Sequence, residues 1–143
     1  MKHLILAALA GAIAAGTGYA SRPANLVVVT VRMTPANSGK AMYASYCSSC
    51  HGLDGKGDGP TAAMLQRQPA DLTVLAKRNR GRFPTEHVQA VLEFGAASPG
   101  RGNSPMPVWG PILRGLDTAY PGQNMGMLRI VNLSQYLESI QEK

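Results

Sequence analysis

Residues 47 to 51 read Cys47-Ser48-Ser49-Cys50-His51, and these are the only two cysteines of a 143-residue chain. Two thiols three residues apart, with an imidazole directly after the second, form the attachment signature of a c-type haem. On a helical turn, positions i, i+3 and i+4 share one face, so both thiols can bond to the haem vinyl groups while the imidazole reaches the iron. A structural zinc site or an iron-sulfur cluster needs a fuller set of ligands, but there is no third cysteine and the other histidines are only His3 and His87. A thioredoxin-like redox pair would require a βαβ setting, whereas the flanks read as helix before the motif and glycine-rich loop after it. A plain disulfide or two idle thiols is the blander alternative.

Upstream, Lys2 and His3 make a short polar start, Leu4 to Gly16 is apolar, and Gly18-Tyr19-Ala20 resembles a small-residue cleavage site. Residues 1–20 therefore read as a secretory signal peptide cut after Ala20, and the product as periplasmic. Retention of Leu4 to Ala20 as a membrane anchor is the alternative. Export also supports haem attachment, because the thiols must be presented outside the reducing cytoplasm. Residues 21–37 read as an N-terminal extension. Within it Leu26-Val27-Val28-Val29-Thr30-Val31 is β-branched and predicts a short strand.

From residue 38 to 143 helical signals alternate with loops. Ser38 is a good N-cap for a helix running from Gly39 to Cys50 into the motif. The loop Gly52 to Pro60 holds four glycines that allow close backbone approach to a flat ligand. Helical turns are predicted at Thr61 to Arg67 and at Asp71 to Lys77, the second capped by Asp71. A helix capped by Thr85 should stop at Gly95. The last helix is predicted from Met125 to Gln141, with Leu128, Val131, Leu133, Tyr136, Leu137 and Ile140 on its apolar side.

Between Ala96 and Pro121 the periodicity fails, and prolines and glycines predict a constrained loop with little regular structure. There Met106 stands between Pro105 and Pro107, a restricted backbone suited to aiming a thioether at iron. The other methionines read as core filler or surface residues, with Met125 and Met127 next in line as ligands.

These features resemble the class I cytochrome c family over roughly Gly39 to Ile140: a helix ending in the haem motif, Gly59-Pro60 further on, and a methionine-proline loop with Trp109 nearby. The resemblance implies a compact all-α fold of four or five helices around one covalently bound haem c, with crossing terminal helices at Gly39, Tyr43, Leu133 and Tyr136. It also implies His51 and Met106 as axial ligands, the Pro60 carbonyl accepting a hydrogen bond from the other ring nitrogen of His51, and Trp109 packed near the propionates.

The chain carries a formal net charge of +6. Much of the excess lies in Lys77-Arg78-Asn79-Arg80-Gly81-Arg82, which can steer the protein toward an acidic face of a redox partner, although a solvated charge run is the commoner explanation. Nucleic-acid binding is disfavoured, since no aromatic pattern interleaves the charges. Asp54 and Asp58 do not fit a calcium loop, His87 reads as a surface residue, and no nucleophile motif is present, so the chain is not expected to be an enzyme. The expectation is a monomeric, exported, mono-haem carrier of single electrons. A haem subunit of an exported dehydrogenase or terminal oxidase is the main alternative. A ligand-binding haem protein is the other, should Met106 be displaced.

Overall fold

Ser38 starts the first helix by accepting a hydrogen bond from the Ala41 N–H through its side chain (3.2 Å), which satisfies one of the donors a helix start leaves open. The structure, a computed structural model, describes residues 33–96, 106–116 and 125–142. The signal segment 1–20, the run 26–31 and Pro105 lie outside the described residues. Among these residues the elements are α1 (Gly39–Tyr46), α2 (Ser48–His51), a 3-10 turn at Ala62–Met64, α3 (Leu75–Arg78), α4 (Thr85–Phe94), α5 (Trp109–Gly115) and α6 (Met125–Ser139), with no strand. None of these helices is long and apolar enough to cross a membrane.

Four boundaries differ from the sequence expectation, each for a local reason. The first helix is interrupted at Cys47 (φ −112°, ψ −34°), so the haem motif forms its own turn. The stretch after Pro60 keeps only a 3-10 turn, and Leu65 is already extended (ψ 141°). Asp71 caps no helix; it closes a tight turn, accepting from the Thr73 N–H (2.8 Å) and the Thr73 hydroxyl (2.6 Å), as Asp side chains do in Asx turns. Thr85 is the first helical residue and Pro84 holds the cap position without a side-chain bond. The Pro-rich segment, predicted without regular structure, contains α5: Pro111 stands in its first turn, where a missing N–H costs nothing.

The α6 helix packs against α1, α4 and α5, and the core between them is Met42, Tyr43, Tyr46, Val88, Leu92, Leu113, Ile130, Leu133 and Leu137. Its buried face is rotated from the predicted one. Gly126, Arg129, Ile130, Leu133, Ser134 and Leu137 point inward, while Leu128 is 41% exposed. The rotation is set at the crossing with α1, where a side chain on Gly39 would overlap the Asn132 carbonyl and the Tyr136 Cβ. Tyr43 and Tyr136 then meet with ring centroids 5.2 Å apart. Thr34 and Ala36 are also buried: Thr34 accepts from the Arg129 guanidinium through its carbonyl (2.7 Å), and the Ala36 carbonyl accepts from the Asn132 side chain (3.2 Å).

Because α1 and α6 touch backbone to backbone, Gly39→Val should cost on the order of 3 kcal/mol in denaturant unfolding. Lys40→Ala, one residue on and exposed, should stay within about 0.5 kcal/mol. The Asp71 turn predicts an acid effect. The Thr73 hydroxyl holds the Asp71 carboxyl below its usual value, so its stabilisation is present above the unfolded pKa near 4 and lost as pH falls through the depressed folded value. Asp71→Asn should therefore be slightly less stable at neutral pH, by under about 1 kcal/mol, and the two unfolding curves should converge at acid pH.

Candidate haem site

Cys50 and His51 stand on α2 and Cys47 caps it, and that single turn is held by the loop that follows it. Gly57 N–H donates to the His51 carbonyl (2.8 Å), Gly59 N–H to the Cys50 carbonyl (3.1 Å) and Thr61 N–H to the Ser49 carbonyl (2.9 Å). A helix of four residues cannot satisfy its own last carbonyls, and this ladder does so from outside. Gly59 is required there, because a Cβ would run into the Ser48 and Ser49 carbonyl oxygens. The Tyr43 hydroxyl closes the turn by donating to the Gly52 carbonyl (2.7 Å). Burial, with Cys47 next in importance, pushes that phenol well above its usual pKa, so it stays a neutral donor.

The Nδ1 of His51 lies 2.9 Å from the Ala70 carbonyl oxygen. The carbonyl implied by family resemblance was that of Pro60, and this expectation is corrected: Pro60 is exposed and its neighbours Gly59 and Thr61 are turned back onto α2. Segment 69–72 takes its place, anchored by the Leu72 N–H to the Gly55 carbonyl (2.7 Å). An imidazole that donates through Nδ1 presents Nε2 as its lone-pair nitrogen, which is what an iron ligand needs.

Cys47 packs against the core and Cys50 is half-buried, neither in a disulfide. The Cys50 Sγ lies 3.2 Å from the Thr61 hydroxyl, which in turn donates to the Ser49 carbonyl (2.7 Å). Burial, then the neighbouring Cys50, pushes the Cys47 thiol up to about 12. Dithiol redox centres depend on a lowered thiol pKa, so this direction argues against a thioredoxin-like role.

Met106 and Trp109 both pack against the core that Cys47 also touches. Trp109 stacks on Tyr46, with centroids 5.8 Å apart and planes 27° from parallel. Met106 is half-buried, whereas Met64 is 83% and Met127 47% exposed, and Met42 lies deep in the core beside Arg129 (4.0 Å from its Sδ). Thus Cys47, Met106 and Trp109 share one core, while Pro60 stands apart. Among the described residues no group of His, Cys, Asp and Glu is arranged to hold a bare metal ion. The donor set fits a haem: two thiols on one turn, an imidazole with an oriented ring, and a thioether on a neighbouring loop.

Sequence reasoning missed Ala70, Thr61 and Arg129. Ala70 acts only through its backbone, which no sequence pattern reports, and Arg129 sits inside an otherwise apolar helix face.

Residues 34–114 match the family model described as cytochrome c oxidase, cbb3-type, subunit III, more than half of the 143-residue chain. Comparison with curated proteins and with solved structures finds no significant match.

Thioether bonds survive denaturation and coordination bonds do not. Haem should therefore remain on the wild-type polypeptide in a denaturing gel. It should be absent from the Cys47→Ser, Cys50→Ser double variant, by peroxidase staining of the haem band.

Proposed function

The chain belongs to the cbb3-type cytochrome c oxidase subunit III family of c-type cytochromes, with covalently bound haem c and an electron-carrying role, and on that footing we propose that it is an exported, mono-haem carrier of single electrons rather than an enzyme. The observation that carries the reading is the His51 ring, fixed through Nδ1 on the Ala70 carbonyl (2.9 Å) and set on one turn with both thiols. Cys47 and Cys50 would anchor the haem through thioethers, and His51 Nε2 and the Met106 thioether would hold its iron. The bound group supplies one-electron exchange between ferric and ferrous iron.

The polypeptide's part is to hold, tune and shield. The hydrogen bond from His51 to a backbone carbonyl fixes the ring and raises its basicity. Bound to the iron, a soft Met106 thioether would favour the ferrous state and would leave no open position for oxygen or peroxide. Met106 packs against a core in which Tyr43, Leu133 and Leu137 are buried, and such a dry flank would lower the local dielectric beside the bound group. Export rests on the segment Lys2 to Ala20, and the net charge of +6 favours redox partners with an acidic docking face.

A second reading, a dedicated haem subunit of a terminal oxidase, is favoured by the description of the matching family. The two readings separate on purification from native membranes and soluble extract: a free carrier stays in the soluble fraction as a monomer, and a subunit co-purifies with oxidase activity.

Met106→Ala should open a coordination position. The variant should turn high-spin or recruit a foreign ligand, bind carbon monoxide and cyanide readily, and fall in potential by on the order of 0.1 V. An unchanged visible spectrum and potential would move the ligand to another methionine.

A further inference from the structure

Lys77, Arg78, Arg80 and Arg82 are all exposed, and the backbone holds them in place. Asn79 N–H donates to the Leu75 and Ala76 carbonyls (3.1 and 3.0 Å) at the end of α3, and Gly81 N–H to the Ala76 carbonyl (2.8 Å). The turn between them is left-handed at both Arg80 (φ +58°) and Gly81 (φ +81°), a conformation that costs a non-glycine residue free energy. The Asn79 side chain donates to the Arg82 carbonyl (2.8 Å) and fixes the far side of the turn.

The loop is pinned to one end of the molecule. Gln141 accepts from Ala76 N–H through its side chain (2.8 Å) and donates to the Leu72 carbonyl (2.7 Å), and Glu142 N–H donates to the Thr73 carbonyl (2.8 Å). These residues directly follow α6. The other end of α6 carries Gly126, which packs against Arg114 of α5, the helix that Trp109 opens three residues after Met106. Fifteen helical residues separate the two ends by about 22 Å. Through the Gln141 bonds, the strongest run of positive charge is held beside the C-terminal end of α6.

We propose that loop 77–82, held at the C-terminal end of α6, is a docking site for an acidic segment of a protein partner. The proposal rests on the electron-carrier reading and adds where such a partner is held. Two clefts of about 510 Å³ flank Arg80, one walled by Arg80, Arg82, Glu86 and His87 and the other by Lys77, Arg80 and Glu142. Planar guanidinium forks match carboxylates with paired hydrogen bonds, and concave walls on both sides of Arg80 suit an extended chain with spaced acidic side chains. Each cleft also carries a carboxylate, Glu86 or Glu142. A protein can meet these with its own cations, whereas a uniformly anionic bilayer would press phosphates against them. Stable membrane attachment also calls for inserted apolar groups, and the exposed large hydrophobics, Met33, Leu53, Met64, Phe94, Val108, Met127 and Leu128, lie outside the loop.

The test is a titration of isotope-labelled, haem-loaded full-length protein with an octaglutamate peptide, followed by amide chemical shifts. Shifts concentrated on residues 76–87 and 141–142 are expected. The Arg80→Glu, Arg82→Glu double variant should bind about tenfold more weakly, and Lys40→Glu should change affinity less than about threefold. Shifts centred on residues 106–109, or an equal loss with Lys40→Glu, would overturn the proposal. So would charge-reversal-sensitive binding to vesicles of equal phosphatidylglycerol and phosphatidylcholine with octaglutamate affinity unchanged. The visible spectrum of the same samples reports the iron ligands independently: loss of the Met106 signature would fail the carrier reading while leaving the mapped docking site standing.

Discussion

Everything at the site depends on three backbone hydrogen bonds, from residues 57, 59 and 61 to the carbonyls of 51, 50 and 49. The last four residues of the haem motif form a helix capped by the first, Cys47, too short to persist on its own, since nucleation fixes several dihedrals for one internal bond. The ladder supplies the missing N–H donors from the loop that follows, and in doing so fixes the positions of Cys50 and His51. The loop can lie that close only because residue 59 has no side chain. The absence of a side chain at one glycine is thereby converted into the placement of two thiols and an imidazole.

The same ladder explains which carbonyl orients His51. Once Gly59 and Thr61 face α2, Pro60 is turned to solvent. The next chain segment that can approach the ring is 69–72, tied to Gly55 through Leu72. The acceptor at Ala70 follows from loop geometry and not from the identity of residue 70, so a family pattern built on side chains points to the wrong residue while giving the right chemistry. What matters for the iron is a carbonyl acceptor on Nδ1, and that is preserved.

Legibility in the sequence tracks how local the determining physics is. The haem motif, the Ser38 cap and the extents of α4 and α6 were readable because they rest on spacing within a few residues. The interruption at Cys47, the inward turn of Arg129 and helix α5 were not. The last two are decided by contacts distant in sequence: α6 is rotated by the backbone contact at Gly39, and Gly110 of α5 packs against the Glu93 carbonyl of α4. Prolines around Met106 signalled constraint correctly but concealed the helix, because Pro111 stands where a helix start tolerates it.

The family match ends at residue 114, yet the fold cannot end there. Leu133 and Leu137 of α6 belong to the same buried cluster as Met42, Tyr43 and Leu113, and removing them would expose one whole side of that cluster. The match begins at residue 34, whose carbonyl receives the buried Arg129 guanidinium of α6 at 2.7 Å and whose hydroxyl lies 2.7 Å from that of Tyr46. A buried charge is tolerated only where hydrogen bonds replace its water, so Thr34 and Arg129 require each other across 95 residues. Tyr46 links this pair to the Trp109 stack and hence to the methionine loop. The far ends of the domain are thus joined by this contact and by that of Asn132 on the Ala36 carbonyl (3.2 Å), the first of them abutting the Tyr46 ring that stacks on Trp109, and α6 belongs to the site's support.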